Sequence, residues 1–293
     1  MLYHRWMFWI YNKFMELRKP DEILEYACES GLKRIQRNCI QALILSFMAG
    51  VFIAFASEGS NMAAYNLLAN PGTYGLGKVL AGAVFGTGLM LVLLAGGDLF
   101  TGSMLNIITI LERKASVGKM LLNWLLVYAG NFTGSLFIAW MMYHSGLFNS
   151  SSGLLGGMTI KIAAYKTALP FHSAFFLGLM CNWLVCLAVW VSYGARDTTG
   201  NIFAIFFIIC LFITSGFEHS IANMYYIPAG ILAKQNSAWA AMSALSPAQL
   251  ADLNWLNFAI KNLLPVTAGN MIGGAIMVGM MYWFALRKKQ IVP

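Results

Sequence analysis

Six uncharged apolar runs, each about 20 residues long, constrain what this chain can fold into more than any other feature. A helix needs roughly 20 residues to cross a hydrocarbon layer of about 30 Å. Hydrophobic residues make up 59% of the sequence and charged residues 10%, which leaves too little polar surface for a water-soluble domain of this length. The sequence therefore predicts an all-α integral membrane protein, with spans at about 39–57, 79–97, 120–143, 173–195, 198–217 and 263–286.

Two shorter apolar runs, 99–111 and 220–233, follow polar insertions and are too short to span the membrane. Joined to the runs before them they would exceed the length of one straight helix. Irregular backbone at membrane depth is tolerated where it is buried in protein or lines a cavity. We therefore expect helices 2 and 5 to be interrupted, at "GGDLFTGS" and at "TSGFEHS".

The distribution of basic residues predicts the orientation. Fourteen of the 19 lysines and arginines fall on the side shared by both termini, and five fall on the other side. Since cytoplasmic loops are enriched in Lys and Arg, both termini are expected in the cytoplasm, with the protein in the inner (cytoplasmic) membrane of the cell. Residues 1–35 would form a cytoplasmic segment with an amphipathic helix capped by Asp21, residues 36–287 the channel domain, and residues 288–293 a cytoplasmic tail.

An internal repeat relates the two halves of the chain. The segments "NWLLVYAGNFTG" and "NLLPVTAGNMIG" share the pattern N-x-x-x-V-x-A-G-N-x-x-G, which places Asn131 and Asn270 in equivalent structural positions. A weaker match relates "SMLN", ending at Asn106, to "SIAN", ending at Asn223. Because each half has three spans, the second half must enter the membrane from the opposite side. Such an inverted repeat brings its interrupted helices together near the midplane, where transport sites lie.

Four strings of this sequence resemble the formate–nitrite transporter family: "AGGDLFTG", "GLMCNWLVCLAVWVSYGAR", "SGFEHSIANMYYIPAGI" and "NLLPVTAGNMIGG". The similarity extends in order over roughly residues 36–287 and is greatest to the formate channels. The resemblance implies an aquaporin-like protomer of six helices, assembled as a homopentamer in the lipid bilayer. It also implies a separate pore in each protomer for small monovalent anions, with formate as substrate and protons as partners.

His219 is the residue most strongly expected to act in transport. A histidine in a soluble core is usually a hydrogen-bonded structural residue, but an ionisable residue in an interrupted membrane helix indicates function. Imidazole exchanges a proton near neutral pH. His219 would hydrogen-bond the anion, or protonate it so that it crosses as the neutral acid; the sequence leaves both routes open.

The resemblance assigns polar roles to further residues. Thr101 matches the pore threonine, although its hydroxyl could also cap the helix after it. Asn182 matches the pore asparagine, and Lys166 matches the vestibule lysine that attracts anions, although a snorkelling interfacial lysine is the alternative. Glu218 is expected to accept backbone N–H bonds at the interruption or to orient polar neighbours, with Asp98 as its counterpart in the first half.

Apolar constrictions are expected on either side of the central histidine, where dewetting would exclude hydrated ions. Ordinary packing is the competing interpretation for each residue separately. The positions that match the family's constrictions are Phe85, Leu89, Leu99, Phe100, Val185 and Phe212.

Other functions find less support in the sequence. The spacing of His, Cys and acidic residues suggests neither a metal site nor a catalytic group, so we expect no cofactor and no enzyme, and the basic residues form no nucleic-acid patch. Within the family, nitrite or hydrosulfide is the alternative substrate, and other short weak-acid anions stay possible. An aquaporin-type channel for neutral solutes would need Asn-Pro-Ala at both half-helix starts, where this chain has Phe-Thr-Gly-Ser and Glu-His-Ser-Ile.

Overall fold

The computed structural model describes residues 17–287, and this part of the chain contains helices but no β-strand. Residues 1–16 of the predicted N-terminal segment and the tail predicted at 288–293 lie outside the described residues. Six helices are long and apolar enough to cross a membrane, which confirms the predicted number of spans. In chain order the main helices are α1 Pro20–Ile35, α2 Cys39–Ala69, α3 Pro71–Gly96, α4 Gly102–Leu111, α5 Val117–His144, α6 Leu154–Thr167, α7 Phe171–Gly194, α8 Thr198–Ser215, α9 Ser220–Ala233, α10 Ser237–Met242, α11 Pro247–Asp252 and α12 Trp255–Leu286.

The two halves of the chain have the same order of elements. A helix outside the six spans comes first, then a full span, an interrupted span and a last full span. In the first half these are α1, α2, α3 with α4, and α5. In the second half they are α6, α7, α8 with α9, and α12. The interruptions occupy 97–101 and 216–219, inside the predicted segments "GGDLFTGS" and "TSGFEHS".

The halves interlock through their interrupted helices. The first arms, α3 and α8, pack against each other. The short arm α9 packs on α5 of the opposite half, while α4 packs on the middle of α12. As a result the two interruptions are enclosed by the bundle, which is the condition under which irregular backbone survives at membrane depth.

Three details differ from the sequence-based expectation. The helix that begins at Pro20 is capped at Lys19, whose backbone N–H donates to Glu22, so Asp21 lies in the first turn and is not the cap. Helix α2 continues past Glu58 to Ala69, and α12 begins before Lys261, since a buried or snorkelling ionisable group does not end a helix. Helix α6 is a 14-residue element that the sequence analysis did not predict.

Glycine permits close contact between the full spans of each half. A Cβ atom on Gly134 of α5 would lie 2.1 Å from the carbonyl oxygen of Phe47 on α2. A Cβ atom on Gly273 of α12 would lie 2.1 Å from the carbonyl oxygen of Leu179 on α7. Backbone therefore packs on backbone at both places, as small residues four apart allow in membrane helices.

We expect Gly134→Ala and Gly273→Ala each to lower the thermal unfolding temperature of the detergent-solubilised protein. The added methyl group meets backbone that cannot rotate away, so each variant should lose about 1–3 kcal/mol. Gly75→Ala is the matched control, because a Cβ atom there meets nothing within 4 Å. Unfolding temperatures of Gly134→Ala and Gly273→Ala equal to that of Gly75→Ala would contradict the close approach.

Candidate functional site

The first interruption, 97–101, is held by the side chain of Asn131 from α5. Asn131 Oδ1 accepts the backbone N–H of Phe100 at 2.8 Å. Its Nδ2 donates to the carbonyl oxygens of Ser46 at 2.7 Å and Asp98 at 2.9 Å. One fully buried amide therefore supplies three hydrogen bonds to backbone groups that water cannot reach.

The second interruption, 216–219, is held in the same way by Asn270 from α12. Asn270 Oδ1 accepts the backbone N–H of Ser220 at 2.9 Å. Its Nδ2 donates to the carbonyl oxygens of Gly178 at 2.7 Å and Glu218 at 3.0 Å. The two asparagines that mark the sequence repeat thus occupy equivalent positions and make equivalent contacts.

Asp98 of the first interruption is buried against two arginines at the end of α1 and just beyond it. Arg37 Nη1 contacts Asp98 Oδ2, and Arg34 Nε lies 3.8 Å from Oδ1. Burial alone would lower the pKa of the Arg34 guanidinium, but the neighbouring Tyr193 and Asp98 raise it above its ordinary value. A cation from outside the spans therefore anchors this interruption.

Glu218 of the second interruption is buried against Lys166, which lies in the last turn of α6. Lys166 Nζ lies 2.8 Å from Glu218 Oε1, and Asn223 Nδ2 donates to Oε2 at 2.7 Å. No backbone N–H is among the recorded donors to this carboxylate in residues 17–287. Of the two roles expected for Glu218, the geometry fits the orienting of polar neighbours. Asp98 and Glu218 hold corresponding positions, because the carbonyl oxygen of each accepts from the repeat asparagine of its half.

Paired asparagines connect each half-helix to the last span of its own half. Asn106 Nδ2 donates to Asn123 Oδ1 at 3.1 Å in the first half. Asn223 Nδ2 donates to Asn262 Oδ1 at 2.8 Å in the second. The amides of Asn123 and Asn262 also donate to the carbonyl oxygens of Arg34, at 3.2 Å, and Lys166, at 2.8 Å. Each interruption is therefore fixed to the outlying helix, the half-helix and the last span of its half.

The two interruptions meet at Thr101 and His219. Thr101 Oγ1 lies 3.0 Å from His219 Nε2, and His219 Nδ1 accepts the backbone N–H of Ala222 at 3.0 Å. With Nδ1 accepting, a neutral ring carries its proton on Nε2 and donates it to the threonine hydroxyl. Thr101 makes no side-chain cap bond, so the capping alternative is wrong; His219 caps α9 instead. Both side chains are buried.

Asn182 of α7 lies under the first interruption. Its Nδ2 donates to the carbonyl oxygens of Thr101 at 3.2 Å and Asn270 at 2.7 Å. Cys186, one turn further along α7, also points its sulfur at the Thr101 carbonyl at 3.3 Å. The amide expected to provide a polar contact in the pore thus has both its donor bonds to backbone, where it fixes the position of Thr101.

All six residues expected in constrictions are buried, and Phe212 packs next to the histidine with Phe85 behind it. The rings of Phe85 and Phe212 meet edge to face at 5.6 Å, and the ring of Phe212 lies 6.0 Å from that of His219. Phe100 packs instead against Tyr128 of α5, at 4.8 Å. For Leu89, Leu99 and Val185, burial fits both a constriction and ordinary packing.

A cavity of about 490 Å³ opens beside the second interruption. Its lining includes Lys78, Lys161, Lys166 and Glu218, so three lysines face one carboxylate. This cavity reaches the residue before His219 and has a net positive lining. The arrangement can attract an anion and bring it close to the buried imidazole.

The sequence analysis placed several of these residues but missed others. It identified Lys166, Glu218, Thr101 and His219, which the structure brings into one region. It did not assign Lys78 or Lys161 to the cavity, although both had been counted among the five basic residues of one face. A lysine at the end of an apolar run can indicate a residue near a pore entrance. That Lys78 and Lys161 line the same cavity follows only from how α3 and α6 pack around it.

Comparisons with known proteins agree on one family. The family model described as Formate/nitrite transporter matches residues 21–284. The formate channel FocA of Escherichia coli (strain K12) is 34% identical over 275 residues, covering 92% of this chain and 94% of that protein. The uncharacterized transporter YrhG of Bacillus subtilis (strain 168) is 38% identical over 276 residues, covering 94% and 96%. A solved pentameric formate channel with formate bound has a TM-score of 0.77 and 37% identity, covering 85% of this chain and 98% of that one.

We expect Asn270→Ala to lower the thermal unfolding temperature of the purified protein, because three hydrogen bonds at the second interruption are lost. Each buried polar group left without a partner costs about 1–3 kcal/mol. Asn66→Ala is the control, since Asn66 lies exposed on α2. Should both variants unfold at the wild-type temperature, Asn270 would not be what holds the interruption.

Proposed function

Because this chain belongs to the formate/nitrite transporter family, we propose that it carries small monovalent anions across the membrane, with formate as its main substrate. The observation that supports this most directly is the contact of Thr101 with His219, beside a cavity whose lining is positively charged. The family is one of transporters, and its relatives at 34–35% identity include formate channels. The chain is accordingly a multi-pass membrane protein that moves a solute.

The main barrier to such transport is the loss of water around the anion. A charged group at the apolar centre of a membrane protein is costly unless a partner compensates it. The cavity lysines raise the local concentration of anions at the entrance. Phe85 and Phe212 then close the path with apolar rings, so that hydrated ions do not follow.

His219 addresses this barrier at the centre. In the neutral ring the Nε2 proton, directed at Thr101, is the donor that an anion would take over. In the protonated ring Nδ1 also carries a proton and gives up the bond from Ala222, and Nε2 hands its proton to formate, which then crosses as the neutral acid. The two modes share one residue and differ in whether the proton travels with the anion.

The family membership supports the assembly that we propose, and the distribution of charge supports the orientation. The solved relative is described as pentameric, and we extend that state to this chain as a homopentamer. Large apolar side chains such as Phe55, Leu125 and Phe207 are exposed on the spans and need lipid or a neighbouring subunit. The excess of basic residues on one face supports a cytoplasmic location of both termini and insertion in the inner membrane.

Substrate choice is tested by stopped-flow flux into proteoliposomes with formate, nitrite and hydrosulfide offered singly and in competition. We expect formate to cross fastest and to be slowed by the other two anions. Formate flux no greater than in protein-free vesicles would rule out the proposal. Faster flux of nitrite or hydrosulfide would reassign the substrate within the same family.

We expect His219→Phe to abolish pH-dependent formate flux while the oligomer still assembles. Loss of a hydrogen bond to a charged group costs about 1.5–3 kcal/mol, which corresponds to a roughly 10- to 100-fold loss of flux. His172→Gln is the control, because His172 is exposed and lies far along the chain from either interruption. Normal pH-dependent transport by the phenylalanine variant would rule out a proton role for His219.

A further inference from the structure

Glu58 is a buried acid at membrane depth that the proposed pathway does not use. It lies in the outer half of α2, about 28 Å along the helix from Cys39 at ~1.5 Å per residue. Its side chain is 7% exposed. An ionisable residue inside a membrane span is expensive to keep and indicates function unless a partner explains it.

The partners of Glu58 do not explain it. Tyr225 of α9 donates its hydroxyl to Glu58 Oε2. Glu58 Oε1 is buried without a hydrogen-bond partner in the described part of the chain, and so is Nδ2 of Asn61, one turn further along the same helix. An unpaired acceptor and an unpaired donor thus lie on one side of α2, both inside the protein.

Glu58 differs in this respect from the other two buried carboxylates at the interruptions. Asp98 is paired with Arg34 and Arg37, and Glu218 is paired with Lys166. Among residues 17–287 no lysine or arginine forms an ion pair with Glu58. A phenol hydroxyl is the sole recorded partner, and it can serve a protonated or an ionised carboxyl group.

The cavity of about 490 Å³ beside the second interruption lies next to Glu58, and we call it the outer cavity. Ser60, Asn61 and Tyr226 line it, so the neighbours of Glu58 on α2 and the neighbour of Tyr225 on α9 face its interior. Asn61 therefore lines the cavity one turn away from Glu58, although no hydrogen bond joins Asn61 Nδ2 to the unpaired oxygen of Glu58.

The charged and titratable groups that surround this position come from each helix packed on α2. From α3 come Tyr74 and Lys78, from α6 come Lys161, Tyr165 and Lys166, and α9 supplies Tyr225 and Tyr226. Glu218 faces the cavity from the interruption. Helix α5 carries no Asp, Glu, Lys or Arg beyond Lys119, and its outer Tyr143 and His144 contact each other and Trp residues.

We propose that Glu58 is a second proton-binding site, which exchanges a proton with the outer cavity past Asn61 and makes anion entry depend on external pH. This inference rests on the proposed function. The carboxylate takes a proton from a hydronium ion in the cavity, an O–H bond forms at the carboxyl group, and water is released. When Glu58 is ionised, its charge opposes that of the cavity lysines; when it is neutral, their attraction for the anion is undiminished.

The proton site is tested by infrared difference spectroscopy on the reconstituted full-length protein, between about pH 5 and about pH 8. We expect a carboxylic C=O stretching band at the acidic end in the wild type and its loss in Glu58→Gln. Elution of the variant as the wild-type oligomer in detergent checks folding. Identical difference spectra for the two proteins overturn the proposal, whatever the flux.

Tyr225→Phe keeps the test decisive if the glutamine variant does not assemble. It leaves the carboxyl group in place and removes its recorded hydrogen bond, so the C=O band should shift in frequency. A band at the wild-type frequency would mean that the titrating group is not Glu58.

Flux measurements separate this inference from the proposed function. At an external pH of about 8, inward formate flux through Glu58→Gln should exceed that of the wild type about twofold or more, with equal flux at about pH 5. Superimposable pH profiles of flux overturn the role in anion entry. A titrating band in a protein that carries no formate would retain the proton site and refute formate transport instead.

Discussion

Every backbone N–H and C=O group at membrane depth needs a partner inside the protein, and this requirement shapes the whole bundle. A continuous helix meets it without help, but an interrupted helix does not. Here the missing partners come from Asn131 and Asn270, each of which serves one N–H group and two carbonyl groups. The glycines near these asparagines bring α5 against α2 and α12 against α7 closely enough for short amides to reach across. Close packing and interruption are therefore one structural solution, repeated twice.

The equivalence of the halves ends at the centre of the molecule. Phe100 and Ser220 both donate to the repeat asparagines, and Asn106 and Asn223 both donate to the next asparagine. Phe100 and Asn106 are six positions apart along the chain, whereas Ser220 and Asn223 are three positions apart. The extra residues form the tighter 3₁₀ start of α4, and this start follows Thr101 directly. In the longer segment the Thr101 hydroxyl of the first half meets the His219 imidazole of the second.

The sequence predicts the scaffold well because the scaffold obeys rules of length and pattern. Span number follows from apolar runs, and the position of each interruption follows from a polar insertion that separates a long apolar run from a short one. Helix α6 was missed since 14 residues with Lys161 and Lys166 satisfy neither the rule for spans nor that for loops. Pairings such as Arg37 with Asp98 or Tyr225 with Glu58 join residues 61 and 167 positions apart. They depend on which face of a helix points inward, which nearly uniform apolar helices do not reveal.

The buried acids Glu58, Asp98 and Glu218 differ in their partners, and this difference distinguishes acids with a structural role from an acid with a functional one. Asp98 and Glu218 are held by cations that come from outside the spans, so their charge is compensated and the interruptions they belong to are fixed. Removal of Lys166, or of Arg34 and Arg37 together, would leave a buried carboxylate without a compensating charge. Glu58 has no such partner within residues 17–287, and it lies beside a cavity that contains mobile protons whenever it contains water. The hydrogen bond from Tyr225 is the contact that this carboxyl group makes with the rest of the bundle, and it needs no ionised acid. The presence of Glu58 is therefore better explained by the proton that it can bind than by a structural role in α2, which continues past this residue without interruption.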